Sequence, residues 1–273
     1  MILTDPGWLE PAESPIALFG GVYSNHLALR ATLEDAKATG AGTVACLGDL
    51  GAFGPHPDRA CALVRDAGIP VVQGNYDHSL GHDLADCRCG YTDPEDNRFA
   101  AISYRYTYGN TDPGHRSWMR SLPRAIRFRM GDRRVLLCHA SPRRINEFLW
   151  ESTSPDAFLV RLLDDAEADV LAVSHTGIPW LRHLPGRRAV VNVGAIGRPP
   201  NDGRTGTPYA LLDLDAGGAP VVEWRRVGYD HDGLAIEMRE EGLPEPFVET
   251  ILTGWWTTCL EVLPAKERAR GRY

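Results

Sequence analysis

No apolar stretch in these 273 residues reaches membrane-spanning length, so no membrane partner is expected. Basic charge is not in excess either. The formal net charge is −7, which argues against a nucleic-acid binder relying on general positive charge. Residues 1–14 are acidic and carry Pro6 and Pro11, with neither a basic start nor a long apolar core. That is not a secretory leader, and a cytoplasmic location is expected. Cysteine is scarce, with six in the chain. Cys46 and Cys138 lie in apolar strand-like runs and are expected as reduced core thiols, so a disulfide framework is not expected. Repeats, low-complexity segments and linkers long enough to split the chain are absent. The expectation is one domain over 1–273 with a helical C-terminal tail from about 231.

What is present is ordinary globular material: 43% hydrophobic and 24% charged residues, enough to bury a sizeable core. Apolar runs alternate with helical patterns in the first half. Ile16-Ala17-Leu18-Phe19 ends at Gly20-Gly21, and 26–39 then reads as a helix with Asn25 as N-cap. Residues 43–47 read as a second strand, 57–67 as a helix with Pro near its first turn, and Pro70-Val71-Val72 as a third strand. Strands separated by helix-length segments imply βαβ units and a parallel sheet. Residues 85–94 read as a loop. Residues 96–108, 115–121 and about 154–167 read as helices, and 170–173 and 189–193 as strands. Two hairpins are expected, 126–138 around Gly131-Asp132 and 209–225 around Gly217-Gly218. The fold class is α/β, and two mixed sheets packed as a sandwich suit the hairpins.

Four polar residues stand just past four of these apolar runs: Asp49 in Gly48-Asp49, Asn75 in Gly74-Asn75, His139 after Cys138, and His175 after Ser174. In open α/β sheets ligands gather outside the carboxyl ends of strands. One carboxylate, one amide oxygen and two imidazoles suit a first-row divalent metal such as Mn, Fe or Zn. Taken singly, each also reads as an ordinary loop residue.

The ordered set Gly48-Asp49 with Gly54-Pro55, Gly74-Asn75-x-Asp77, strand-end His139 and His175-Thr176 resembles the calcineurin-like metallophosphoesterases. Residues 139–149 and the turn Asn192-Val193-Gly194-Ala195-Ile196-Gly197 resemble a bacterial subgroup of that family. The resemblance covers about 16–230 and implies a two-layer β-sandwich flanked by helices (α/β/β/α), a two-metal site and hydrolysis of phosphate or related oxyanion esters. Two departures stand out. The family opens with Asp-x-His, where this chain has Gly21 and Tyr23, and closes with Gly-His-x-His, where it has Gly177. The resemblance therefore implies a second metal position complete in Asp49, Asn75, His139 and His175, about one metal per chain, and a doubtful second metal. Tyr76 stands where many relatives carry a catalytic His.

Asp77 and His78 are candidates for proton transfer, and Tyr23 for a catalytic or ligating phenol or a packed aromatic. Arg143, Arg144 and Arg198 are candidates for oxyanion contact or for solvated surface positions. Cys87-x-Cys89 reads as loop thiols, a local redox pair, or soft ligands favouring zinc or iron. The pair Trp255-Trp256 reads as core, a cap over the site, or a dimer contact, with packing the expected role, and homo-oligomerisation is left open. Two rivals stand beside the hydrolase: a non-haem iron redox enzyme and a ligand-binding protein without turnover.

Overall fold

The computed structural model describes residues 6–8 and 14–269. Most of the acidic N-terminal stretch and the last four residues of the basic tail lie outside them. Two sheets form the centre. One runs β1 (Pro6–Trp8), β4 (Ala125–Met130), β5 (Arg133–Cys138), β6 (Val170–Val173), β8 (Arg188–Asn192) and β7 (Trp180–Leu184). The other runs β10 (Pro220–Val227), β9 (Thr207–Leu214), β2 (Ile16–Phe19) and β3 (Thr43–Cys46). Parallel β2–β3 and β5–β6–β8 pairs sit beside the antiparallel β4–β5 and β9–β10 hairpins.

Period-two alternation sorts the strands' side chains into layers. Ile16 and Leu18 face Val135, Leu137, Val170, Ala172 and Val191 between the sheets. Their alternates Ala17 and Phe19 pack outward under α1 (His26–Ala38) and α2 (Pro57–Asp66). On the other side Leu136, Leu171 and Val173 meet Leu159, Leu162 and Leu163 of α6 (Asp156–Asp165). The architecture is α/β/β/α. The Asn25 side chain accepts from Ala28 N at 2.9 Å and fixes the start of α1, as its residue type dictates.

Two expectations are corrected and one unassigned segment is filled in. Pro70-Val71-Val72 contributes a single bridge, Cys46 to Val71, because the chain turns at once to pair Gln73 N with Pro123 O. Residues 75–81, which the sequence pattern left unassigned, form a helix, α3 (Asn75–Gly81). The tail is interrupted: α7 (His231–Glu240) and α8 (Glu245–Thr253) are followed by an irregular stretch before α9 (Ala265–Ala269). No helix among the described residues is long and apolar enough to cross a membrane.

Candidate metal centre

The carboxyl ends of β3, β5 and β6 and the start of α3 meet at one point. His139 leaves β5 with its Nδ1 against the Leu47 carbonyl at 2.7 Å. That contact takes the ring proton and turns Nε2 inward as a lone pair. Three further ligand atoms face Nε2: Asn75 Oδ1 at 3.1 Å, His175 Nδ1 at 3.1 Å and Asp49 Oδ2 at 3.3 Å. Ligand atoms of Asp49, His139 and His175 all lie within 4.8 Å of one another. A proton on Nε2 serves one or two of these acceptors at a time, whereas a divalent cation at their common centre serves all four. The donor set fits such an ion.

Electrostatics keep the set ready for a cation. Burial disfavours the ionised Asp49, but adjacent His139 outweighs it and the carboxyl pKa falls. Burial alone would lower the His139 pKa, and Asp49 raises it instead. His175 is pushed down to about 3 by burial and by His139, so it stays neutral with its lone pair free.

Asp49 sits in the left-handed region at φ 57°, directly after Gly48 at φ 86°. That turn is held by Asp77. Its two oxygens accept from Asp49 N and Gly74 N at 2.8 Å each and from Leu50 N at 3.0 Å, and Asp49 Oδ1 accepts from Tyr76 N at 3.0 Å. Burial and the Asp49 charge raise the Asp77 pKa to about 6, against the pull of its backbone donors. Asp77 is fully buried and its carboxylate is spent on backbone, so it positions the ligands and has no free face for proton transfer.

The structure separates His78 from the centre. His78 lines a different cleft with His82, Arg120 and Arg124, and its pKa is lowered to about 4 by burial and by Arg124. Arg143 is also apart: it is exposed, pairs with Glu147 at 2.9 Å and lies over the Phe158 ring. Both were expected at the site. His78 is taken up by Arg124, whose Nη2 lies 3.3 Å from its Nδ1, and the i,i+4 carboxylate captures Arg143.

Arg198 and Tyr23 are brought in. They line a small cavity of about 20 Å³ with Asp49, Asn75, His175, Phe53, Tyr91, Phe148, Trp256 and Cys89. Arg198 is only 6% exposed, its Nε has no hydrogen-bond partner, and no carboxylate lies within ion-pair distance among the described residues. Its guanidinium lies 3.6 Å from the Trp256 ring and 4.8 Å from that of Phe53. Burial and Asp49 raise the Tyr23 pKa well above that of free phenol, so the hydroxyl stays protonated. Tyr76, at the position where many relatives carry His, lines the same cavity and donates its hydroxyl to Ser103 Oγ at 3.0 Å.

Gly21 leaves no room for a side chain, and Gly177 lies in ordinary contact distance of a ring. A β-carbon on Gly21 would come within 3.0 Å of Tyr23 Cζ and 2.7 Å of Ala195 Cβ, and one on Gly177 would touch the Trp256 ring at 3.5 Å. Aromatic rings therefore border the places where the family carries its first metal's ligands. Trp256 was the contributor least visible in the sequence. It is held by Nε1 donating to Pro199 O at 2.6 Å and by its own N donating to Asn201 Oδ1 at 2.9 Å, and it covers the cavity from the tail.

Residues 16–217 match the family model of the calcineurin-like phosphoesterase superfamily domain, and the chain belongs to that superfamily. The family is one of metal-dependent phosphoester hydrolases. An uncharacterised protein of Methanocaldococcus jannaschii is 27% identical over 259 residues, covering 89% of this chain and 99% of its own. A metallophosphoesterase from Sphaerobacter thermophilus superposes with a TM-score of 0.65 at 27% identity, over 88% of this chain and 98% of its own. A hypothetical protein from Pyrococcus horikoshii superposes with a TM-score of 0.69 at 19% identity, over 89% and 99%, and shares the fold.

Proposed function

We propose that this protein hydrolyses small phosphate or related oxyanion esters with one divalent metal and one buried arginine. The observation that carries the proposal is Arg198: a buried guanidinium with an unpartnered Nε, on the same cavity as the ligand cluster. An uncompensated buried cation costs several kcal/mol unless an anion arrives. A planar guanidinium suits the oxygens of a phosphoryl group.

Asp49, Asn75, His139 and His175 would hold the metal, which when bound supplies an acidified water and Lewis-acid polarisation. Arg198 binds the ester's non-bridging oxygens and stabilises charge that grows on them. Tyr23, kept protonated by burial, donates its hydroxyl to an oxyanion or to the departing oxygen. Phe53, Phe148 and Trp256 exclude bulk water and so strengthen both contacts. Asp77 fixes the Asp49 turn, and the Leu47 carbonyl fixes the His139 tautomer. One metal is expected because Gly21 and Gly177 supply no ligand and Tyr23 and Trp256 border them.

The test is a panel of small phosphate mono- and diesters offered to protein loaded with Mn, Fe or Zn. Hydrolysis that disappears on chelation, and in a folded His139→Ala variant, is expected. Tight phosphate binding without turnover under every metal would make this a binding protein. Oxygen consumption with Fe(II) and no hydrolysis would favour the redox rival instead.

A further inference from the structure

Cys87 and Cys89 are joined as a disulfide across one intervening residue. The proposed hydrolysis does not use that pair, yet it sits against the metal centre. The Asn75 amide connects the two. Its Oδ1 faces His139 Nε2 at 3.1 Å, while its Nδ2 donates to Cys87 O at 2.9 Å and faces Cys89 Sγ at 3.6 Å. One side-chain amide thus separates the Cys89 sulfur from the ligand cluster. Cys89 lines the inner cavity together with Asp49, Asn75 and His175. It also lines an outer cleft of about 360 Å³ with Asp86, Cys87, Arg88 and Gly90. A reagent entering the outer cleft reaches a bond whose other side faces the ligands. On the ligand side, Gly21 and Gly177 contribute no donor atoms.

We propose that the Cys87–Cys89 pair is a redox-controlled metal ligand, whose reduction frees the Cys89 thiolate to join Asp49, Asn75, His139 and His175 on the cation. The inference rests on the metal reading above and adds a fifth donor and a condition for its presence. The reductant is a low-molecular-weight dithiol. Its thiolate attacks one sulfur of the pair to give a mixed disulfide and expel the other sulfur as a thiolate. Its second thiol then displaces the mixed disulfide. The products are two cysteine thiols and one cyclic disulfide of the reductant, with two electrons passed to the pair. On ligation the Cys89 thiol gives its proton to water, and the soft sulfur shifts preference toward zinc or iron.

The probe is Co²⁺ added to the whole chain, read by absorption. Bound cobalt shows visible d–d bands whatever its ligands, and a thiolate ligand adds a near-ultraviolet charge-transfer band. In oxidised protein the visible bands are expected alone. Treatment with dithiol should bring in the charge-transfer band and tighten Zn²⁺ binding by about tenfold or more, the scale of a change in the ligand environment. Cys87→Ser should show the band without reductant, and Cys89→Ser should lack it under all conditions. Visible bands without the charge-transfer band, in both reduced protein and Cys87→Ser, overturn the inference and leave the metal reading standing. A band that survives in Cys89→Ser also overturns it, pointing to Cys87 or to Cys259, the cavity's other thiol, which contacts Tyr91 and Thr258. Failure to form the disulfide under mild oxidant, counted by thiol titration, removes the redox control. No visible bands at all would sink the metal reading and this inference together.

Discussion

Replacing Arg198 by Met should separate stability from ligand binding. Methionine keeps an unbranched stem that can lie against Trp256 and Phe53, and it removes the charge. In the folded protein that charge is buried without a carboxylate, at a cost of several kcal/mol. The opposing gain comes from rings at 3.6, 4.8 and 5.9 Å, each worth about 0.5–2 kcal/mol. The two sums nearly cancel, so Arg198→Met should unfold within about 1 kcal/mol of wild type or be more stable. Function should move much further. Losing one charge-stabilising donor in a closed site costs about 2.7–4 kcal/mol, or roughly 10²–10³ in turnover.

The assay is thermal unfolding with and without orthophosphate. At a phosphate concentration of about 100 Kd, wild type gains about 2.7 kcal/mol. For a chain of this size that is a rise in Tm of roughly 5–10 °C. The Met variant should show no rise at the same concentration. A variant destabilised by more than about 3 kcal/mol that keeps the full phosphate shift would refute the assignment and make Arg198 a packing residue.

Tyr23→Phe keeps the edge-on contact with Phe53 (5.3 Å between centroids) and removes only the hydroxyl. Turnover should fall by about a hundredfold with Tm unchanged, and full activity at saturating metal would dismiss a catalytic hydroxyl. Asp77→Asn replaces a carboxylate that accepts three backbone N–H groups by an amide with one oxygen. A loss of about 3 kcal/mol in urea unfolding is expected, together with weaker metal binding, and an unchanged midpoint would contradict a positioning role. His78→Ala should leave turnover within about twofold, since His78 lines a different cleft, whereas a hundredfold loss would restore it as the proton-transfer group.

Much of the frame was legible because strands announce themselves locally. Ile16-Ala17-Leu18-Phe19, 43–46, 135–138 and 170–173 are mostly apolar runs, and Asp49, His139 and His175 follow shortly after three of them. Asn75 was legible by the same pattern although its preceding run forms only one bridge. The helix that Asn75 opens was not, because Asn75 to Gly81 has little apolar periodicity and its start is held by the Asp77 side chain. Strand β7 was hidden by mixed burial along Trp180–Leu184. Arg198 was readable as a candidate from its place after Gly197. Its isolation from carboxylates depends on rings at Phe53 and Trp256, positions far apart in the chain that no local pattern links. The Cys87–Cys89 bond likewise needed the fold to place it beside Asn75.

Elemental analysis of protein purified without chelators, set beside the same analysis of His139→Ala, tests the centre most directly. About one divalent metal per wild-type chain is expected, falling toward zero in the variant while the fold is kept, because His139 Nε2 stands among the other three ligand atoms. Two metals per chain, or one that survives the loss of His139, would contradict a single centre built on Asp49, Asn75, His139 and His175.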